Sequence, residues 1–250
     1  MRWAAIVGGA IGVSVVGALI LVLLAPIPVV PPPTSPDDPA VPTWAEPGPL
    51  PVGAADPGAG IQTRVDAVWA EQAAAATGIP VRALVAYAGA AIDKAAQMPE
   101  CGLSWTTLAG VGMIESHHGT YGGSALDAGG TARPGIFGIA LDGVTTANVP
   151  DSDDGEIDGD PDADRAVGPM QLIPQTWRNW HIDAGADGVE DPQNIDDAAL
   201  AAANYLCRSA SGMDTEAGWR AGISAYNSSD TYLSNVAAAA DSYNRAVEVL

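Results

Sequence analysis

The sequence predicts a mainly α-helical domain behind an apolar N-terminal segment and a proline-rich stretch. Residues 4–25 carry no charge, and residues 26–60 are dominated by Pro, Gly and Ala. From Ile61 onward, apolar residues recur at helical spacing. No comparable alternating strand pattern appears, although residues 119–149 leave room for a short hairpin.

The first 25 residues have the length and composition of a membrane-spanning helix. Arg2 precedes the apolar stretch, whose length lies in the roughly 17–25-residue range of a spanning helix. The alternative is a secretory signal, in which an apolar region of about 7–15 residues precedes a small-x-small cleavage site. Because "LLAPIPVVPPP" contains no Ala-x-Ala, an uncleaved anchor is favoured. We expect a single-pass membrane protein with an extracellular domain, or a secreted protein if the segment is cleaved.

The composition of residues 26–60 is typical of a disordered linker with an extended polyproline bias. The predicted organisation is therefore an anchor or signal at residues 1–25, a linker at 26–60 and a helical domain at 61–250.

The helices of this domain follow from periodicity and end signals. "IQTRVDAVWAEQAAAATGIP" and "VRALVAYAGAAIDKAAQ" each place apolar residues on one helical face. Further helices are predicted at residues 104–115, 174–180, 196–207, 218–227 and 230–249. Ser104 is a candidate N-cap and Pro174 fits a first helical turn. The long connection over residues 119–166 suggests a function, because structureless loops of this length are uncommon.

Charge narrows the range of partners. With 30 acidic and 10 basic residues the formal net charge is −20, which argues against nucleic acid or an anionic membrane surface as a partner. The acids concentrate in "DSDDGEIDGDPDADR", residues 151–165, and such a block is usually a solvated loop.

The chain has two cysteines, Cys101 and Cys207. In an exported protein one disulfide is the most economical assignment, and two free buried thiols are the alternative. Two Cys and three His do not show the paired spacing of a zinc site.

A single acid stands out in "MIESHHG". In a helix over residues 104–115, Glu115 shares a face with Leu108 and Val111, so its carboxyl projects from the apolar side. Burial and the negative end of the helix dipole should both raise its pKa. A carboxyl that stays protonated near neutral pH suits a general acid for glycosidic bond cleavage. The alternative is a buried glutamate paired with His117, His118 or Arg133.

Two other segments add to this pattern. "AVGPMQLIPQTW" presents Gln171 at a Gly168-Pro169 turn, and "GISAYNSS" places Tyr226 on an apolar helical face with Asn227 next to it. Each is weak alone, because Gly-Pro turns and core tyrosines are common.

In this order the three segments resemble lytic murein transglycosylases, which are bacterial enzymes with a lysozyme-like helical domain. The family pattern is E-S at a helix end, then G-x-M-Q, then A-Y-N. Here it reads Glu115-Ser116, Gly168-Pro169-Met170-Gln171 and Ala225-Tyr226-Asn227. "CGLSWTTLAGVGMIESHHG" and "DPQNIDDAALAAANYLC" look like the secreted or membrane-anchored actinobacterial branch, with the same cysteine pair. The resemblance covers about residues 81–247.

The resemblance implies a reaction on peptidoglycan glycan strands that requires no cofactor. Glu115 would protonate the oxygen between N-acetylmuramic acid (MurNAc) and N-acetylglucosamine (GlcNAc). Its carboxylate would then deprotonate the muramic 6-hydroxyl, forming a 1,6-anhydro end without a second carboxylate. The implied substrate-binding residues are Ser116, Gly168, Met170, Gln171, Tyr226 and Asn227. Tyr205 is a further candidate for the groove wall, with a core role as the alternative.

Two acidic segments suggest calcium. "DSDDGEIDGD" and "DAGADGVED" are similar to D-x-D-x-D-G loops, although neither has the Glu at position twelve of a full EF-hand. The candidate ligands are Asp151, Asp153, Asp158 and Asp160 in the first loop, and Asp183, Asp187 and Asp191 in the second. A lid over the glycan groove and a solvated excursion are the alternatives for the first loop.

Two other functions stay open at this point. A lysozyme-type hydrolase would use Glu115 with a second carboxylate and water. A noncatalytic wall-binding module would hold glycan and would need no acid on the apolar helix face.

Overall fold

A computed structural model describes residues 42–250 except Thr145, Ala147 and Val249. The predicted anchor at residues 1–25 and the linker residues 26–41 lie outside the described residues. Within these residues no single helix has the length and apolar composition needed to cross a membrane. One pair of consecutive helices, sharply bent where they meet, reaches that length and composition only when the two are counted together.

The described chain is mainly helical with little sheet, as predicted. Its α-helices are α1 (Ala67–Thr77), α2 (Val81–Gln97), α3 (Trp105–Ser116), α4 (Pro174–Trp180), α5 (Ile195–Ser209), α6 (Glu216–Tyr226) and α7 (Asp230–Val247). The sheet is an antiparallel hairpin of β1 (Ala125–Leu126) and β2 (Ala132–Arg133), which lies within the stretch where a hairpin was expected.

Local chemistry explains where these helices begin. The Ser104 hydroxyl accepts a hydrogen bond from the Thr106 amide before α3, and Pro174 opens α4, so both predicted start signals are confirmed. The first predicted helix starts later than its pattern suggested. Residues Ile61–Arg64 form a short 3-10 turn, and α1 begins only after Asp66, whose carboxylate caps the Trp69 amide.

Helix α3 lies at the centre of the domain and packs against α2, α5 and α7. Leu108 and Val111 are fully buried. Gly110 allows α7 to approach closely, because a Cβ atom there would lie 2.9 Å from the Val236 carbonyl oxygen. The acid at the end of α3 is therefore carried by the most enclosed helix of the core.

Part of the stretch assigned to the linker, residues 42–60, contacts the helical domain. The Trp105 indole donates to the Pro49 carbonyl at 3.1 Å, and the Asp66 amide donates to the Val52 carbonyl at 2.8 Å. Ala45 is buried in the core. Residues 42–60 are poor in large apolar side chains, but Trp44, Ala45 and several backbone groups pack onto the helices.

Cys101 and Cys207 form a disulfide, which confirms the pairing assigned from the sequence. The bond joins the turn before α3 to the C-terminal part of α5, across a sequence separation of 106 residues. In the chain-entropy picture, closing a loop of this length stabilises the fold by at most about 5 kcal/mol.

The long connection between α3 and α4 folds back on itself. After the hairpin, isolated bridges pair Phe137 with Val167 and Pro150 with Ala163. The Gly138 amide also donates to the Ala166 carbonyl at 2.8 Å. These contacts hold the acidic stretch, residues 151–165, beside the segment that leads into Gly168.

Candidate active site

Glu115 lies in the last turn of α3, one turn beyond the fully buried Val111. Its side chain is half-buried, so the carboxyl group borders both the core and the solvent. The helix ends immediately after it, because His117 adopts a left-handed conformation with φ of 51°. Glu115 is therefore placed where a core helix meets the surface, which is where an acid can reach a bound polymer.

Burial raises the pKa of Glu115 from 4.5 to about 7, in the direction that the sequence predicted. A hydrogen bond opposes this shift, because the Tyr232 hydroxyl donates to Oε1 at 2.6 Å and stabilises the carboxylate. At neutral pH both protonation states of Glu115 are therefore populated.

Tyr232 was not found by sequence reasoning. It lies in the first turn of α7 and is 7% exposed. Its pKa is raised well above 10, first by burial and then by the charge of Glu115, so its hydroxyl stays a donor at neutral pH. The only signal in the sequence was a tyrosine soon after the A-Y-N motif, and nothing in that spacing indicates a contact with Glu115.

The Ser116 hydroxyl joins the first motif to the second. It donates to the Pro169 carbonyl at 2.6 Å and accepts from the Gly119 amide at 2.8 Å. Ser116 is 1% exposed. The prediction that Ser116 binds substrate does not agree with this burial, and the side chain instead fixes the Gly168-Pro169 turn against the end of α3.

The third motif is joined to the second through Tyr226. Its hydroxyl donates to the Met170 carbonyl at 2.7 Å. Burial, followed by the charge of Glu115, raises the pKa of Tyr226 well above 10. The Met170 side chain is fully buried and packs in the core, and the predicted contact of Met170 with substrate stays a prediction. The thioether fills the space beneath the turn, while the backbone carbonyl anchors Tyr226.

Gly168 and Gln171 form the turn itself. The Gln171 amide nitrogen and its side-chain Nε2 both donate to the Gly168 carbonyl, at 3.0 and 2.9 Å. Gly168 has φ of 76°, and a Cβ atom there would lie 1.8 Å from the Pro192 carbonyl oxygen. This position requires glycine for backbone reasons. Gln171 is half-buried and also left-handed, with φ of 47°.

The remaining predicted residues flank Tyr226. The Tyr205 hydroxyl donates to the Ala225 carbonyl at 2.8 Å, and its ring lies 5.8 Å from the Tyr226 ring at a tilt of 52°. Asn227 ends α6, is exposed, and accepts a hydrogen bond from the Ser229 amide at its Oδ1 atom. Tyr205 therefore supports Tyr226, while Asn227 lies at the exposed end of α6.

Two of the three cation partners considered for Glu115, Arg133 and His118, make other contacts. Arg133 pairs with Asp127 at 2.8 Å. His118 lies buried between the hydroxyls of Tyr87 and Tyr243, at 3.3 and 3.0 Å, and burial lowers its pKa to about 4, so it is neutral near pH 7. Among the residues that the structure describes, no ion pair involves Glu115.

The structure groups the acidic residues differently from the predicted calcium loops. Within the described chain, the acids that come together with metal-ligand geometry are Asp151, Asp153 and Asp164. Asp164 was not among the predicted ligands. Asp158 lies outside this group, and its carboxylate accepts hydrogen bonds from the amides of Asp160 and Arg165.

The second predicted calcium loop is closed by its own backbone. Asp183 accepts from the amides of Asp187 and Gly188, and Asp187 accepts from the Val189 amide. Asp191 accepts from the Gln193 amide. None of these three carboxylates belongs to the grouped set within the described residues.

Comparison of the chain with protein-family models, with curated proteins and with solved structures gives no match. The resemblance to lytic murein transglycosylases therefore rests on the three sequence motifs.

Proposed function

We propose that this chain is a lytic murein transglycosylase with a lysozyme-like domain, which cleaves the bond between MurNAc and GlcNAc in peptidoglycan. One observation carries the proposal. A glutamate with a pKa of about 7 lies in the last turn of the central helix, and two hydrogen bonds tie the three motifs together beside it. A structural glutamate needs neither this pKa nor these neighbours.

In the first step Glu115 acts as a general acid. Its protonated carboxyl transfers a proton to the glycosidic oxygen, the bond from that oxygen to the muramic anomeric carbon breaks, and the GlcNAc hydroxyl leaves. Positive charge develops on the anomeric carbon and ring oxygen. Because the pKa of Glu115 is about 7, the protonated form is populated at neutral pH. An acid with a pKa near the ambient pH also gives up its proton readily.

In the second step the Glu115 carboxylate acts as a general base. It removes the proton from the 6-hydroxyl of the same muramic residue, and the 6-oxygen forms a bond to the anomeric carbon. Glu115 is protonated again, and no water is consumed. Burial and the Tyr232 hydroxyl set the pKa of Glu115, and no carboxylate is among these causes. Ordinary glycosidases, in contrast, require a second carboxylate.

The Tyr232 hydroxyl stabilises the Glu115 carboxylate between the two steps. Tyr232 donates directly to Glu115, and Tyr226 lies close enough for the Glu115 charge to raise its pKa. Gln171 and Asn227 are the candidates for contacts with the sugar, because both carry amide groups at the surface of the joined motifs. We further propose that the domain acts outside the cell, held by the apolar segment at residues 4–25.

Mass spectrometry of released muropeptides tests the proposal. The full-length chain in detergent and its Glu115→Gln variant are incubated with purified peptidoglycan. Glu71→Gln, at an exposed position of α1, is the matched control. We expect anhydro-muramic ends from the wild-type chain and from Glu71→Gln, and their loss in Glu115→Gln.

The other outcomes separate the alternatives. Ordinary reducing ends that disappear in Glu115→Gln would identify a hydrolase with a second carboxylate. Glycan binding without any release would identify a wall-binding module. Anhydro ends that persist in a folded Glu115→Gln protein would remove Glu115 from the mechanism.

A further inference from the structure

Three carboxylates of the acidic loop come together although the chain separates them. One oxygen from each of Asp151, Asp153 and Asp164 lies within 4.8 Å of the others. Asp164 is fully buried, Asp153 is 9% exposed and Asp151 is half-buried. Like charges at this spacing repel one another, so the loop needs a reason to hold them together.

One oxygen of this cluster has no hydrogen-bond partner among the residues that the structure describes. Asp153 Oδ2 accepts a hydrogen bond from the Ile157 amide at 2.5 Å, whereas Asp153 Oδ1 is enclosed and accepts none. A buried carboxylate oxygen without a hydrogen bond is strongly unfavourable. This oxygen therefore points to a ligand that the protein chain itself does not supply.

The other two carboxylates use backbone groups that leave room for a cation. Asp164 accepts from the amide and the hydroxyl of Ser152, and Asp151 accepts from the Asp154 and Gly155 amides. Asp151 Oδ1 also accepts from the Asp153 amide at 3.4 Å, whereas Asp151 Oδ2 and both Asp164 oxygens accept one of these bonds each. Those three oxygens therefore keep further lone pairs free to bind a metal.

The neighbouring basic side chains do not neutralise this cluster. Arg165 pairs with Asp160, and Arg178 donates to the Ser152 carbonyl at 2.5 Å. Across the part of the chain that the structure describes, no ion pair involves Asp151, Asp153 or Asp164. The cluster thus has several negative charges and no compensating cation from the protein.

We propose that Asp151, Asp153 and Asp164 bind one Ca²⁺ ion. An all-oxygen set suits a hard cation and disfavours zinc. Ca²⁺–O distances are 2.3–2.6 Å, so oxygens on opposite sides of the ion are about 4.6–5.2 Å apart, whereas around Mg²⁺ they are about 4.2 Å apart. The three oxygens lie within 4.8 Å of one another, which leaves room for Ca²⁺, and an irregular loop suits the flexible coordination shell of Ca²⁺ better than the strict octahedron of Mg²⁺. The exposed side of Asp151 leaves space for the water ligands that complete the shell.

The ion would fix the acidic loop beside the second motif. Asp164 lies two residues before Ala166, which accepts the Gly138 amide, and the Leu141 amide donates to the Asp164 carbonyl at 3.0 Å. The Ca²⁺ site would hold the paired segments 138–141 and 164–166 in place. The second of these segments leads directly into the Gly168 turn. Binding of the ion does not depend on the proposed enzymatic reaction.

Calorimetric titration of Ca²⁺ into the metal-free full-length chain tests the site. We expect one Ca²⁺ per chain and a higher thermal midpoint when Ca²⁺ is present. Asp153→Asn keeps the Ile157 contact but removes a charged ligand, and should weaken Ca²⁺ affinity by about tenfold or more. Asp151→Asn, at the half-buried ligand, is a second variant in case Asp153→Asn does not fold.

Asp154→Asn is the matched control. Asp154 is exposed in the same loop at φ of 58°, a conformation that Asn also tolerates, and the substitution removes the same charge. Without Ca²⁺, Asp153→Asn should melt at a higher temperature than wild type, because one repelling charge is gone.

Two results would overturn the proposal. One is a wild-type chain that shows no heat of Ca²⁺ binding up to about 10 mM, which exceeds the dissociation constants of weak extracellular sites. The other is Ca²⁺ affinity unchanged in both Asp153→Asn and Asp151→Asn, which would place the ion elsewhere, for example in the loop of Asp183 and Asp187.

Discussion

The hydroxyl of Tyr232 donates a hydrogen bond to Oε1 of Glu115 at 2.6 Å, joining the first turn of α7 to the last turn of α3. This contact favours the carboxylate, whereas burial favours the protonated acid, and burial is the larger effect. The balance keeps the pKa of Glu115 at about 7, near the value that a group alternating between acid and base requires.

Removing the Tyr232 hydroxyl should change the pH dependence of activity. Tyr232→Phe removes a hydrogen bond to a charged group, of about 1.5–3 kcal/mol, so the pKa of Glu115 should rise by about one unit or more. We expect release of anhydro-muropeptides to extend to higher pH with a lower maximal rate, because the carboxylate becomes a less stable state. Tyr121→Phe, at an exposed tyrosine, should leave the profile unchanged. A wild-type profile in Tyr232→Phe would contradict this coupling.

Glu115 should also make stability depend on pH. Its folded pKa is above its unfolded value, so the folded state binds more protons between pH 4.5 and about 7, and stability falls as pH rises through this range. The unfavourable contribution is absent below pH 4.5 and complete above pH 7, where it reaches at most about 3 kcal/mol.

Urea unfolding at pH 5 and pH 8 measures this contribution. Glu115→Gln mimics the protonated acid, so its gain in unfolding free energy over wild type should be small at pH 5 and largest at pH 8. Glu71→Gln should show no such trend, because Glu71 is exposed. A difference between wild type and Glu115→Gln that is equal at both pH values would mean that Glu115 is not destabilised by burial.

Ser116 should act as a positioning residue. Ser116→Ala leaves the Pro169 carbonyl and the Gly119 amide without their buried partner, so the free energy of unfolding should fall by about 1–3 kcal/mol. Activity should also fall, with no shift in the pH profile, because the turn moves while Glu115 keeps its surroundings. Ser224→Ala, on the exposed face of α6, should change neither quantity. Full activity and stability in Ser116→Ala would refute this role.

A comparison of Gly168 with Gly188 tests how much the close backbone contact at Gly168 matters for stability. Both have positive φ, at 76° and 88°. Alanine is strained in this left-handed conformation, so either substitution should lower the free energy of unfolding by roughly 1–2 kcal/mol. Only at Gly168 would the added Cβ atom meet backbone, 1.8 Å from the Pro192 oxygen, while nothing lies within 4 Å at Gly188. Thermal unfolding should therefore show a much larger loss for Gly168→Ala. Equal losses would mean that the contact with Pro192 relaxes freely.

The sequence alone determined the helical character of the domain, most helix boundaries and the placement of Glu115. These features depend on interactions within a few residues. Apolar spacing fixes which face of α3 is buried, and the Ser104 cap and Pro174 act on their own helix starts. The disulfide could also be predicted from the sequence, because two cysteines allow one pairing.

Only the tertiary structure decided which groups surround these residues. Tyr232 is 117 positions from Glu115, and Ser116 is 53 positions from Pro169. Asp164 joins Asp151 and Asp153 only because the loop folds back on itself. The packing of residues 42–60 likewise depends on backbone acceptors that meet Trp105 and Asp66. Apolar periodicity and capping residues indicate the conformation that a short segment prefers. Hydrogen bonds and charge clusters between distant segments depend instead on how the helices pack, which no local pattern encodes.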